Sequence, residues 1–442
     1  MPTDPNSKQS GSQESLPLSA IVSFVLGCAF LAFVAGLFIA VLGWFPSNHA
    51  ASAISALRAA GKADAVPHYL YPQRTADAGV TVREGARMQD GVTLVSGMWP
   101  DDVWHPQARL LDSEGNVLHS WSIRPDLIWP ETPHTDFAAG GHNVPSTYVH
   151  GLELLPGGDI VFNIEYLGMV RMDACGEVVW KLPYRTHHSL QRNTAGNFWA
   201  AGLHWREAAV PEYSLLKAPF VDETMVEVSP DGEILQEIFI LESLTRSGYE
   251  SALFNSRRTM DFTHMNDVEE LSAEMAPAFP MFSAGDLLVS LRNLSLVVVV
   301  DGETHEIKWH FALPITHQHD PDFEPDGTIV IFDNRTDKTL EGDYWGRTRL
   351  LKVDPATSSW TTVYPTDAKQ SFYTRTGGKH QLLENGNRLI IEANAGRVFE
   401  VTPAGETVWN WVIDSREGEY IPEVLTGHRY PQSIADSIVC NQ

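Results

Sequence analysis

One hairpin, written several times, limits what this chain can fold into. "HGLELLPGGDIVFN" from His150, "HSLQRNTAGNFWAA" from His188 and "HDPDFEPDGTIVIF" from His319 share a register in which the histidine precedes a turn glycine by eight positions. "HMNDVEELSAEMAPAFPMFSAGDLLVS" from His264 follows the same plan with a longer loop, and "GKHQLLENGNRLII" carries Gly378 where the others have histidine. A less regular copy opens at "EGARMQDGVTLVSG". Each copy is followed by a second hairpin ending on an aromatic or apolar strand, as in "GMVRMDACGEVVWKL" and "GRVFEVTPAGETVWNW". Short Val/Ile/Leu/Phe/Trp runs between Asp-Gly, Asn-Gly and Glu-Gly turns read as strands. Six such four-stranded units predict an all-β domain, a six-bladed β-propeller in which radial closure shelters the strand edges. An irregular array of β-sandwiches is the competing architecture.

The repeat sets the domain boundaries. Residues 1–15 are polar and Ser/Gln-rich, a disordered tail. Residues 16–46 read as a single N-terminal transmembrane helix, because Leu18 to Phe45 carries no charge over a length that crosses a bilayer. A secretory signal needs a shorter apolar run, although "HAASA" just downstream resembles a cleavage site. Lys8 before the span and Arg58 and Lys62 after it leave the orientation open. A linker is expected over 47–78, the propeller over 79–415 and a C-terminal tail over 416–442. The net charge of −25 argues against nucleic acid and an anionic membrane surface as partners, but leaves room for a local cationic site for an anionic substrate. Of three cysteines, Cys28 lies in the apolar span. Cys175 and Cys440 either form one disulfide in an exported domain or are unrelated thiols.

In a propeller the first strand of each blade lines the central channel, so His150, His188, His264 and His319 gather at one mouth. Residues about six positions past each turn lie level with them: Glu165 beside His150, Arg292 beside His264, Asn334 beside His319. A lone strand histidine is ordinarily a satisfied polar group, but four in one register are not explained by chance. Two chemistries fit. Neutral imidazoles could hold a metal such as zinc. Alternatively, one imidazole attacks a sulfuryl or phosphoryl group while the others and Arg292 bind its oxygens. Arg292 favours the anion, because a fixed guanidinium disfavours an adjacent cation.

From about residue 80 to 413 the chain resembles the arylsulfotransferase family, the PAPS-independent aryl-sulfate sulfotransferases of bacterial periplasm and their membrane-anchored relatives. "DFTHMNDVEEL" with "GDLLVSLRNLSLVVVVD" resembles its His-x-Asn element and downstream Ser-x-Arg. "HQHDPDFEPDGTIVIFDN" resembles the element bearing its nucleophilic histidine, and "GGKHQLLENGNRLIIEANAGRVFEVTPAGETVWNW" its closing blade. The resemblance implies ping-pong transfer of sulfate from an aryl ester to a phenol through a sulfohistidine, with no cofactor and no metal. By position it implies His319 as nucleophile, His264 and Arg292 as sulfuryl ligands, with His264 protonating the leaving phenolate, and His188 completing the pocket. Asn266 is implied to orient the sulfate or an imidazole. His150 and Asn334 are expected to line the pocket, and His187 and His317 are out-of-register alternatives to His188 and His319. It further implies a propeller on the periplasmic or extracellular side.

Three expectations concern the surroundings. The long loop "LSAEMAPAFPMFSA" either lids the channel or displaces it. Strand alternation sends Asp320 away from the face that His319 occupies. No Gly-rich phosphate loop follows a strand and no G-x-S-x-G elbow is present, which argues against nucleotide chemistry and a serine nucleophile. A non-catalytic binding propeller and a metal-dependent lyase or hydrolase remain as alternatives.

Overall fold

The computed structural model describes residues 18–42, 66–135, 148–255 and 260–440. The chain divides into two compact units, Met1–Pro67 and His68–Gln442. In the first, Leu18–Leu42 is one α-helix of 25 residues without an acid or base, long and apolar enough to span a membrane. The expected tail at 1–15 and the linker at 47–65 lie outside the described residues.

The second unit is a six-bladed propeller, each blade an antiparallel four-stranded sheet. Blades two to five run in chain order from their innermost strands at Val149–Leu154, His187–Arg192, Met265–Glu270 and His319–Phe323. Blade six starts at Lys379–Leu382 and gains a fifth, outer strand from Gly79–Arg83. The middle strands explain why the chain needs long β-branched runs. Leu287–Leu291 and Leu296–Val300 are buried at every position, since each sheet packs against a neighbour on both faces. Outer strands such as Val178–Leu182 are largely exposed and correspondingly mixed. At the turn after Gly168–Met172, Asp173 Oδ1 accepts from the amides of Cys175 and Glu177 at 2.9 Å, and Gly176 takes the positive φ that closes it.

Blade one corrects the expected tail. Its innermost strand is Val424–Tyr430, paired with Val92–Pro100, so 416–442 belongs to the propeller. An unclosed blade would leave the edge of Val92–Pro100 unpaired and facing the channel. Leu70–Pro72, expected in the linker, pairs with Tyr420–Pro422. Cys175 and Cys440 form a disulfide that ties the segment after the closing strand to blade two. The long loop does not lid the histidine mouth. It joins Met265–Glu270 to Leu287–Leu291 at the opposite end, where Phe279 and Phe282 are buried against Phe323.

Candidate active site

The strand-initial histidines do not sit on regular strands. The ladder slips between His150 and Leu152, His187 and Leu190, Met265 and Asp267, and His319 and Asp322. Each bulge turns the backbone at the point where the inner strand enters the sheet. His188 and His264 take positive φ of 54° and 46°, a left-handed conformation that costs a non-glycine residue about 1–3 kcal/mol. That cost is borne where the side chains converge.

His150, His188, His264, Arg292 and His319 line one cavity of about 240 Å³ together with Glu165, Tyr71, Tyr148 and Glu423. The rings of His150 and His188 are 4.7 Å apart and those of His188 and His264 4.9 Å apart, both edge to face. Burial, followed by the neighbouring imidazoles, holds His188 well below the usual histidine range. His319 is held there by burial and then by the Arg292 charge, and His150 is lowered by burial.

Second partners fix the orientation of two of these rings. Asn334 Nδ2 donates to the carbonyls of Thr374 and Gly377 at 3.0 and 2.8 Å, so its Oδ1 faces His319 Nδ1 at 2.7 Å and must accept from it. The proton therefore sits on Nδ1, and the Nε2 lone pair faces the Gly377 amide at 3.3 Å. His264 is treated oppositely. Its Nδ1 lies 2.5 Å from Asp261 Oδ2, and Asp261 also accepts from the His264 amide at 3.0 Å. Burial alone would raise the Asp261 carboxyl, but the His264 charge and its hydrogen bonds hold it below the usual range. A carboxylate only accepts, so the His264 Nδ1–H donates to Asp261 and its Nε2 is the atom left toward the cavity.

Arg292 forms one wall. Burial lowers its pKa and the Asp261 charge opposes this; a guanidinium stays charged under both. Its Nε is buried without a hydrogen-bond partner among the described residues, an orphan donor that an anion would satisfy. At the rim, Glu423 is pushed up to about 8 by burial and is hydrogen-bonded by Tyr148 and Asn394.

Four expected site residues lie outside the cavity lining: Asn334, buried behind His319, and His187, Asn266 and His317. His187 is fully buried behind the cavity, its Nδ1 2.9 Å from that of His188 and its ring beside Tyr166. Asn266 lines a constriction of about 20 Å³ below His319 and donates to the Gln318 carbonyl at 2.8 Å. Alternation fails for Asp320. A φ of +45° within the bulge turns it into that constriction, where it accepts from Lys379 at 2.5 Å and from the His380 amide at 2.6 Å. His317 contributes no lining to the cavity. Tyr71, Tyr148 and Glu423 were not expected, because they stand outside the repeat register. Asp261 had a signal, an acid three residues before His264 in "DFTH".

A family model described as Arylsulfotransferase (ASST) matches residues 151–414. The chain belongs to the arylsulfotransferase family. Membership supports aryl sulfotransferase activity in general, with aryl sulfates and phenols as the implied substrates. No curated protein matches the chain. Among solved structures, it is similar to a Bacteroides caccae protein of unknown function at 12% identity and a TM-score of 0.47, over 77% of this chain and 98% of that one. A virginiamycin B lyase from Staphylococcus aureus is similar at 11% identity and a TM-score of 0.35, over 60% and 70%. The Neurospora crassa Pan2 WD40 domain is similar at 11% and 0.39, over 77% and 79%. At these scores none of the three bears on the chemistry.

Proposed function

We propose that this arylsulfotransferase transfers a sulfuryl group from an aryl sulfate to a phenol through a sulfohistidine at His319. The observation that carries the reading is the neutral His319 with its lone pair on Nε2, in one cavity with the Asp261-bound ring of His264 and with Arg292, whose Nε has no hydrogen-bond partner among the described residues. In the first half, Nε2 attacks sulfur, the sulfur–oxygen bond to the aryl group breaks, and the departing phenolate takes a proton from His264. Arg292 and His188 bind the equatorial oxygens as charge builds on them. In the second half an acceptor phenol returns its proton to His264 and attacks sulfur, and the nitrogen–sulfur bond breaks. His150 lines the cavity, Asn334 orients the His319 ring, and His187 and Asn266 brace the histidine cluster from behind and below. The Leu18–Leu42 helix supports a membrane anchor, and the Cys175–Cys440 disulfide supports a propeller on the periplasmic or extracellular side.

Brief exposure of the full chain to phenyl sulfate, followed by intact-mass spectrometry, tests the mechanism. The expected result is a gain of about 80 Da, one sulfuryl group, in the parent and none in His319→Asn. A folded parent that releases phenol with no adduct, or an adduct that survives in His319→Asn, overturns it. A second reading has one observation behind it: His150, Glu165 and His188 can each bring a ligand atom within 4.8 Å of the others. A metal there would make the protein a lyase or hydrolase, and loss of activity in a chelator would favour that reading.

A further inference from the structure

Beyond the constriction below His319, the channel widens into a second cavity of about 460 Å³. Six carboxylates line it against two cationic side chains, Arg192 and Lys379. An acidic cavity alone says little; the telling group is His380. Its side chain is fully buried, and its Nε2 lies 3.3 Å from the Val330 carbonyl. A carbonyl only accepts, so Nε2 carries the hydrogen and Nδ1 presents a lone pair. Among the described residues that Nδ1 has no hydrogen-bond partner, and it lies 3.3 Å from Asp322 Oδ2, which in a carboxylate is also a lone pair. Two lone pairs facing each other at the cavity wall repel unless a cation or a proton stands between them.

We propose that Asp320, Asp322 and His380 bind a divalent cation in the central channel. Each brings one ligand atom within 4.8 Å of the other two. Asp320 keeps a lone pair on each oxygen after accepting from Lys379 and from the His380 amide. Two carboxylates and one imidazole suit zinc or manganese, whereas calcium takes oxygen ligands throughout. The cation joins the innermost strand of blade five to that of blade six. It thereby pins Asp320, the left-handed residue next to His319, and acts as a positioning group for the ring rather than a participant in sulfuryl transfer.

The test reads metal, not turnover, so its outcome is independent of the sulfohistidine reading. The full chain in detergent is stripped with a chelator, reloaded with Zn²⁺ or Mn²⁺, desalted and assayed for metal content and melting temperature. About one equivalent per chain is expected to remain, with a raised melting temperature. Asp322→Asn and His380→Gln are expected to lose both effects, while Glu165→Gln keeps them. A parent that retains neither ion and shows no thermal shift overturns the proposal, and a proton then bridges His380 and Asp322. Metal kept in His380→Gln and lost in Glu165→Gln also overturns it, by placing the ion among His150, Glu165 and His188.

Discussion

At the scale of the residue, the site separates two imidazoles by what stands behind them. An amide oxygen behind His319 fixes its hydrogen on Nδ1 and its lone pair on Nε2, whereas a carboxylate behind His264 accepts the Nδ1 hydrogen of that ring. In the proposed mechanism the nucleophile and the acid are told apart by Asn334 and Asp261, neither of which lines the cavity. If Asp261 maintains the acid, Asp261→Asn slows release of a poor leaving group such as phenol about tenfold to a hundredfold. Release of 4-nitrophenol, which needs no proton, is affected far less. Steady-state rates with the two sulfate esters decide this, and an equal loss for both would assign Asp261 a structural role only.

At the scale of the element, the inner strands show what a register can and cannot reveal. His150, His188, His264 and His319 were legible because the same hairpin is written four times, and strand geometry then brings them together. The bulges were not legible: nothing in "HDPDF" announces that Asp320 adopts a φ of +45° and turns into the channel. The closing strand was missed for another reason. "VLTGHRY" carries no histidine–glycine hairpin, because its partner strand at 92–100 is supplied by the other end of the chain. The sixth copy has glycine in the histidine position, and the structure gives the cause. Gly378 has a φ of +102°, and a Cβ there would come within 2.4 Å of the Phe332 ring. Gly378→Ala is therefore expected to destabilise the propeller by about 1–3 kcal/mol. A midpoint in denaturant unchanged from the parent would show that blade six can yield.

At the scale of the whole molecule, the ring is held shut at one seam. Val424–Tyr430 zips into blade one, Leu70–Pro72 and Gly79–Arg83 add strands from the other end, and the disulfide spans 265 residues of sequence. Cross-linking so long a loop removes much of the freedom of the unfolded chain. Cys440→Ser is expected to cost about 2–4 kcal/mol, read as a lowered unfolding midpoint under non-reducing conditions, and reduction of the parent should produce the same loss. Equal midpoints would mean that the strand pairing alone secures the seam. That seam also bounds the cavity, since Glu423 and Leu425 line it from the closing segment.

Because the strand that completes the first blade follows every other strand of the ring in chain order, the pocket lacks a wall until that strand is in place. Completion of the pocket is then tied to closure of the ring and belongs to no single blade.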